Sequence, residues 1–175
     1  MKFLLREWRM EDMDSLCRYA NNPAVARNLR DSFPNPYRLE DAQAFIVSCL
    51  DPTDTQPKYI RAIVVGGEAV GCVSILPESD IYCKTAELGY FLGEPFWGKG
   101  IMSAVVKRAC AEAFPMFGLV RIFAEPFASN AGSRRVLEKA GFQLEGVLKK
   151  NVCKNGQILD SCVYAWFGGK SVGFR

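Results

Sequence analysis

A glycine-containing turn between a predicted strand and a long helix constrains this fold more than any other stretch. The segment from Thr85 to Phe117 reads TAELGYFLGEPFWGKGIMSAVVKRACAEAFPMF: a strand pattern, the turn, and an apolar helix. Gly98 and Gly100 allow the backbone to turn tightly and to approach a ligand closely. The helix that follows directs its free N–H groups and the positive end of its dipole at the turn. The segment therefore predicts a phosphate cradle made of main chain.

Hydrophobic periodicity divides the rest of the chain into helices and strands. Helices are predicted over residues 11–20, 24–29, 39–50, 101–117 and 129–140. Strands are predicted over residues 3–8, 59–65, 68–76, 86–92, 121–125, 143–150 and 158–167, with hairpin turns at Gly66-Gly67 and Asn155-Gly156. No repeat or interior linker interrupts this pattern. We expect one α/β domain of mixed strand order over residues 1–175.

Composition excludes several kinds of chemistry. The 175 residues include no histidine, which rules out Ser-His-Asp and Cys-His catalysis and the common His-containing metal sites. Seven scattered cysteines without a CxxC pair predict reduced, mostly buried thiols and no metal site. A net charge of +3 argues against nucleic acid and membrane as partners, and no apolar run reaches the roughly 20 residues of a membrane span. We expect a cytoplasmic protein.

Three interpretations of the glycine turn compete when the turn is taken alone. Gly93 to Lys99 fits the P-loop pattern GxxxxGK, but Gly100 stands where the Mg²⁺-binding hydroxyl belongs. A dinucleotide fingerprint needs its third glycine at the position of Ser103. The last interpretation is an ordinary strand–helix turn whose glycines serve packing alone, since short glycine motifs are weak evidence.

Further motifs, taken in order, favour a fourth interpretation. They are Glu87-Leu88-Gly89-Tyr90, Trp97-Gly98-Lys99-Gly100, and a segment from Asn130 to Phe142 that fits Asn-x-x-Ser-x-x-x-x-Glu-Lys-x-Gly-Phe. Over nearly the whole chain this set resembles the GNAT superfamily of acetyl-CoA-dependent N-acetyltransferases, and within it the RimJ/RimL branch. The resemblance implies a single-domain fold with a mixed, mostly antiparallel central sheet flanked by helices. It also implies a V-shaped opening between the two central strands for acetyl-CoA.

The same resemblance implies the contacts to the coenzyme. The main chain of Tyr90, Phe91 and Leu92 would pair with the pantetheine arm as an added strand does. Trp97 precedes the cradle in place of the superfamily's usual Gln or Arg. The pyrophosphate would bind N–H groups of Gly98, Lys99, Gly100, Ile101 and Met102. Asn130 would reach the pantetheine, and Lys139, Lys99 or Arg134 would lie near the 3′-phosphate. Met102 replaces a small residue of the family pattern, and Leu137 replaces a tyrosine that serves many members as general acid.

Two residues are candidates for the chemistry. Glu87 is the candidate base, because a carboxylate buried in a central apolar strand would have its pKa raised towards the working pH. The competing interpretation of Glu87 is a solvated carboxylate paired with a Lys or Arg. Ser133 is the candidate acid by resemblance, with Tyr90 and Tyr164 in reserve. The competing interpretation of Ser133 and Asn130 is helix capping.

We therefore expect transfer of an acetyl group from acetyl-CoA to a primary amine by direct attack in a ternary complex. The acceptor is a protein N-terminal α-amino group or a small-molecule amine, and residues 24–50 would line its pocket, including the loop from Phe33 to Tyr37. The branch also implies a homodimer as one form of assembly. The rival functions are a non-catalytic acyl-CoA-binding or regulatory domain on the same fold and, more distantly, a small nucleotide-binding enzyme.

Overall fold

The structure, a computed structural model, describes residues 1–168. This part of the chain contains seven strands and five α-helices. The strands are β1 (Leu4–Arg6), β2 (Tyr59–Val65), β3 (Glu68–Pro77), β4 (Thr85–Leu92), β5 (Arg121–Ala124), β6 (Gln143–Lys154) and β7 (Gln157–Trp166). The helices are α1 (Met13–Ala20), α2 (Pro23–Ala26), α3 (Leu39–Leu50), α4 (Ile101–Met116) and α5 (Ala131–Ala140). The prediction of one domain over residues 1–175 extends past the described residues.

All seven strands belong to one sheet with the order β1-β2-β3-β4-β5-β7-β6. Neighbouring strands run antiparallel except for β4 and β5, which are parallel. The α4 helix connects these two strands, as a parallel pair requires. The predicted α/β class and the mixed, mostly antiparallel sheet are thus confirmed.

The parallel pairing between β4 and β5 is short, and its end creates an opening in the sheet. The two strands pair only from Thr85–Arg121 to Glu87–Phe123. Beyond Ala124 the chain turns away from β4: Pro126 has no N–H to continue a ladder, and its carbonyl accepts a hydrogen bond from Cys162 of β7 at 2.9 Å. The C-terminal half of β4 therefore has no strand on this side, which is the V-shaped opening that the motifs implied.

Helices cover both faces of the sheet, and each face has its own apolar cluster. On one face α4 and α5 pack through residues such as Val105, Ala109 and Leu137, all fully buried. On the other face α1 and α3 pack through Leu16 and Ile46. Because side chains alternate along a strand, β4 contributes Leu88 and Leu92 to the first cluster and Phe91 to the second.

The predicted elements are all present, and their boundaries differ for local reasons. The first strand ends at Arg6, short of the predicted residue 8, because the N–H of Arg9 donates to the Asp12 carboxylate at 2.9 Å and starts a 3₁₀ turn. The α5 helix starts two residues later than predicted. Its N-cap is Asn130, whose side-chain oxygen accepts from the N–H of Ser133 at 3.1 Å. The sixth strand continues to Lys154, next to the turn at Asn155-Gly156.

Within residues 1–168, no helix combines the length and the apolarity that a membrane crossing requires.

A glycine in β3 allows β4 to lie close enough to build the site. A Cβ added at Gly71 would collide with the carbonyl oxygen of Phe91 and lie 3.0 Å from Cα of Leu92. We expect Gly71→Ala to lower the free energy of unfolding by about 1–3 kcal/mol, as overpacking typically does, in urea denaturation. Gly146→Ala in β6 is the control, since its Cβ would meet nothing within 4 Å. Equal stability of the two variants would contradict this account of β3–β4 packing.

Candidate active site

The unpaired half of β4 forms one wall of a large cavity. This main cavity has a volume of about 860 Å³ and is bounded by Tyr90, Phe91 and Leu92. Its other walls come from the turn at Trp97-Gly98, the start of α5, and the hairpin around Asn155. A cavity of this size suits an extended, coenzyme-sized ligand. The free main-chain groups of β4 can bind it as they would bind a neighbouring strand.

The turn after β4 is held against the end of the strand by an indole. Nε1 of Trp97 donates to the carbonyl of Leu92 at 2.6 Å, so Trp97 fixes the position of the glycines that follow it. Gly98 and Gly100 have φ values of +73° and +74°, in the left-handed region that L-residues avoid. A Cβ at either position would meet no protein atom within 4 Å. The side of the cradle that a side chain would fill is thus open to a ligand.

The α4 helix supplies hydrogen-bond donors to this open side. Ala104 is the first residue whose N–H bonds back into the helix, to the carbonyl of Gly100 at 3.3 Å. The N–H groups of Ile101, Met102 and Ser103 are therefore without intrahelical partners, and the helix dipole adds positive potential there. The side chains of Ile101 and Met102 are buried in the core. The donor set suits a pyrophosphate held by main chain.

Opposite β4, the start of α5 places Asn130 and Ser133 on the main cavity. The side-chain oxygen of Asn130 caps the helix at Ser133, so the capping interpretation of Asn130 is correct. Its amide nitrogen has no hydrogen-bond partner among the described residues and can donate to a ligand. Ser133 does not cap the helix: its hydroxyl lies 2.7 Å from the hydroxyl of Tyr90.

Both hydroxyls of the Tyr90–Ser133 pair keep their protons at neutral pH. Burial raises the pKa of Tyr90 to about 12, against the smaller opposing effect of its hydrogen bond with Ser133. The phenol therefore keeps its proton, and one of the two hydroxyls donates to the other. The sequence named both residues as proton donors but did not predict that they would be bonded to each other.

Glu87 lies where the parallel pairing of β4 ends, on the same strand face as Phe91. Its carboxylate forms an ion pair with the guanidinium of Arg30, and the Glu87 side chain is 24% exposed. Glu87 is thus a carboxylate paired with an arginine, as the competing interpretation expected. It is not fully buried, although full burial was the reason for naming it as a candidate base. Glu87 and Tyr90, three residues apart, project from opposite faces of the strand.

Seven of the candidate site residues named from the sequence are absent from the lining of the main cavity: Glu87, Lys99, Gly100, Ile101, Arg134, Lys139 and Tyr164. Lys99 is exposed, with its ammonium 5.6 Å from the centre of the Phe96 ring. Lys139 is exposed on the last turn of α5. Arg134 donates to the Tyr164 hydroxyl at 3.1 Å, and Tyr164 in turn donates to Glu138 at 2.8 Å. This network fixes α5 to β7, so Tyr164 has a structural role.

A second, smaller cavity of about 430 Å³ adjoins the main one and was only partly predicted. Phe33 and Asn35 line it, as expected of the loop from Phe33 to Tyr37. Arg27 and Lys154 line both cavities; the sequence covered Arg27 only through the range 24–50 and did not predict Lys154. Lys154 pairs with Asp31 at 2.5 Å. No local signal marks these cations, because they come from segments far apart in the chain.

The cysteines take no part in the site. All seven are free thiols, and none lines either cavity. Burial raises the pKa of Cys110 to about 12 and that of Cys49 to about 11, which lowers their reactivity as nucleophiles. Within residues 1–168 no cluster of acidic, histidine or cysteine side chains could hold a metal ion.

The opened parallel strand pair and the main-chain cradle together form a site in an α/β fold that suits an elongated, phosphate-bearing ligand. The particular family follows from comparison with known proteins. A family model for the acetyltransferase (GNAT) domain matches residues 2–143, so this chain belongs to the GNAT family. It is an acetyl-CoA-dependent N-acetyltransferase, which confirms the predicted enzyme class and co-substrate.

Individual relatives support this assignment. The chain is 44% identical over 131 residues to Probable N-acetyltransferase YjcK of Bacillus subtilis (strain 168), covering 74% of this chain and 72% of YjcK. Microcin C7 self immunity acetyltransferase MccE, solved with acetyl-CoA and AMP, matches with a TM-score of 0.81 and 25% identity over 95% of this chain and 93% of MccE. RimL, the ribosomal L7/L12 α-N-protein acetyltransferase solved with coenzyme A, shares the fold, with a TM-score of 0.81 and 24% identity over 95% of this chain and 94% of RimL.

The cradle makes a direct prediction for coenzyme binding. We expect Gly100→Glu to weaken acetyl-CoA binding by roughly two orders of magnitude in calorimetry, because the new carboxylate would face the pyrophosphate. Gly66→Glu is a matched control, since Gly66 also has a positive φ (+61°) and open space around its Cβ. The control adds the same charge and comparable backbone strain in the β2–β3 turn. Equal weakening in both variants would show that strain, not the cradle, governs the loss.

Proposed function

We propose that the enzyme acetylates a primary amine, either a protein N-terminal α-amino group or a small-molecule amine, by direct attack within a ternary complex. The observation that carries this proposal is the arrangement around β4. The strand presents a free main-chain edge, a protonated hydroxyl pair on one face, and a carboxylate on the other. An acetyl transfer needs an oriented thioester, a base for the amine and an acid for the sulfur.

The coenzyme is held by main chain in this proposal. Tyr90 and Phe91 offer backbone groups to the pantetheine arm, while Gly98 to Met102 offer N–H groups to the pyrophosphate. The amide nitrogen of Asn130 donates to the pantetheine from the opposite wall. Lys99 and Lys139, both exposed, are proposed to lie near the 3′-phosphate. When bound, acetyl-CoA supplies the acetyl group and the thiol leaving group.

Glu87 acts as the base in this proposal. A primary amine is mostly protonated near pH 7 and must lose a proton before it can attack. That proton passes to the Glu87 carboxylate, directly or through water, and then to solvent. Because the reaction converts an ammonium and a thioester into an amide and a thiol, the second proton of the nitrogen has to reach the sulfur. Ser133, hydrogen-bonded to Tyr90, delivers it in this proposal.

The base assignment predicts a selective loss of turnover. We expect Glu87→Gln to lower kcat/KM for the amine by about 10²–10³-fold, the usual contribution of a general base. Calorimetry should give an unchanged affinity for acetyl-CoA, since the Glu87 side chain is absent from the lining of the main cavity. Glu68→Gln is the matched control, because Glu68 also forms an arginine ion pair, with Arg18 at 2.7 Å. Wild-type turnover in Glu87→Gln would exclude Glu87 as the base.

The hydroxyl pair predicts non-additive kinetics. We expect Tyr90→Phe and Ser133→Ala each to lower kcat about 10–100-fold. The double variant should be no slower than the slower single variant, because two members of one relay act as a unit. Tyr59→Phe is the control, as Tyr59 donates to Glu112 at 2.7 Å and lines neither cavity. Effects that multiply in the double variant would mean that the hydroxyls act independently.

Cellular location and assembly remain predictions. We infer a cytoplasmic location because seven free thiols suit a reducing compartment. A homodimer is the assembly that the family resemblance implies, and every residue assigned a role above comes from a single chain. The non-catalytic acyl-CoA-binding alternative is not favoured, since such a domain would need neither the carboxylate nor the hydroxyl pair.

A further inference from the structure

The junction of the two cavities carries an excess of positive charge. Arg27 lines both cavities, is exposed, and has no ion-pair partner among the described residues. Lys154 also lines both, with a side chain only 11% exposed, and its partner Asp31 is 73% exposed. Arg30, on the same loop as Arg27 and Asp31, adds a third cation beside this junction and pairs with Glu87, although neither Arg30 nor Glu87 is among the residues that line the two cavities. A second ammonium group on an acceptor would be repelled here.

The proposed base, Glu87, already forms an ion pair with Arg30. The pair gives the carboxylate a cationic partner before any amine arrives, so an incoming amine must compete with a guanidinium. The Arg30 side chain is 70% exposed, and ion pairs of this kind contribute little to folding. The pair can therefore open at low cost when Arg30 is offered another anion. A planar guanidinium binds carboxylate and phosphate groups particularly well.

We propose that the acceptor is a primary amine that also carries an anionic group, a carboxylate or a phosphate, and that this anion draws Arg30 away from Glu87. The inference rests on the proposed role of Glu87 as base. One ion pair breaks and another forms: Arg30 exchanges Glu87 for the acceptor's anion, with Arg27 as a second ligand for it. Glu87 is then free to take the ammonium proton. Arg27 and Arg30 are specificity-determining residues, and a polyamine is a poor acceptor.

Matched acceptors test the class of substrate in the wild-type protein. The pairs are alanine and alaninamide, 5-aminopentanoate and 5-aminopentanamide, and phosphoethanolamine and ethanolamine, with cadaverine as a diamine. We expect the anionic member of at least one pair to have a kcat/KM about tenfold higher or more, and cadaverine to be among the poorest acceptors. The responding pair tells carboxylate from phosphate. Equal or higher kcat/KM for the members without the anion in all three pairs would overturn the proposal.

Arginine variants test the exchange itself. In Arg30→Gln we expect the ratio of kcat/KM between the anionic acceptor and its matched acceptor without the anion to fall towards one. Turnover of the acceptor without the anion should rise several-fold, because Glu87 no longer has an arginine partner. Arg27→Gln should raise KM for the anionic acceptor and leave kcat nearly unchanged. Arg108→Gln, which breaks an exposed pair with Glu112 on α4, is the control and should change neither quantity. An equal fall for both acceptors in Arg30→Gln would assign Arg30 a merely structural role.

Calorimetry separates a failure of this inference from a failure of the transferase proposal. Each acceptor is titrated into protein saturated with coenzyme A, a state that cannot turn over. Tighter binding of the anionic members that is lost in Arg27→Gln supports the inference. If this binding is seen and no amine is acetylated, only the proposed acetyl transfer fails. Turnover of amines without any preference for the anionic members in binding or kinetics overturns the inference and leaves the transferase proposal standing.

Discussion

The early end of the pairing between β4 and β5 is the constraint on which the rest of the site depends. Main-chain N–H and C=O groups in a sheet interior normally bond to a neighbouring strand. Here the neighbour departs after Phe123, because the chain passes through Pro126 and bonds to β7 instead. Half of β4 is left with unpaired donors and acceptors at the centre of the sheet, where a ligand can take the place of the missing strand.

The phosphate cradle depends on the same opening, since its position is set by the end of β4. The indole of Trp97 bonds to the carbonyl of Leu92 and so ties the turn to the strand. Two left-handed glycines then bring the chain into α4 without a side chain on the open side. A strand edge followed directly by a helix N-terminus gives one continuous main-chain surface. Such a surface suits an elongated, anionic coenzyme better than a compact ligand.

Sequence predicted the parts of this enzyme that depend on local pattern. The strand pattern placed Glu87 and Tyr90 in one central strand, and the glycine spacing predicted the cradle after it. Local pattern could not predict which charged residues pair with each other, because the partners are far apart in the chain. Arg30 lies 57 residues before Glu87, and Asp31 lies 123 residues before Lys154. Both pairs are created by folding alone. The sequence left Glu87 as either a desolvated base or a carboxylate paired with a Lys or Arg, and folding supplies the arginine.

The alternation of β4 also divides the chemistry between the two faces of the sheet. Glu87 and Tyr90 are an odd number of residues apart, so their side chains leave the strand in opposite directions. The hydroxyl pair is held by α5, an element that belongs to the coenzyme side. The carboxylate is held by the loop after α2, which belongs to the second cavity. Substitutions in that loop can alter which amine is accepted without disturbing the strand edge or the cradle. In the proposed exchange the arginines of residues 27–37 govern access to Glu87 and the sheet does not, so we expect relatives with this same sheet to differ most in substrate there.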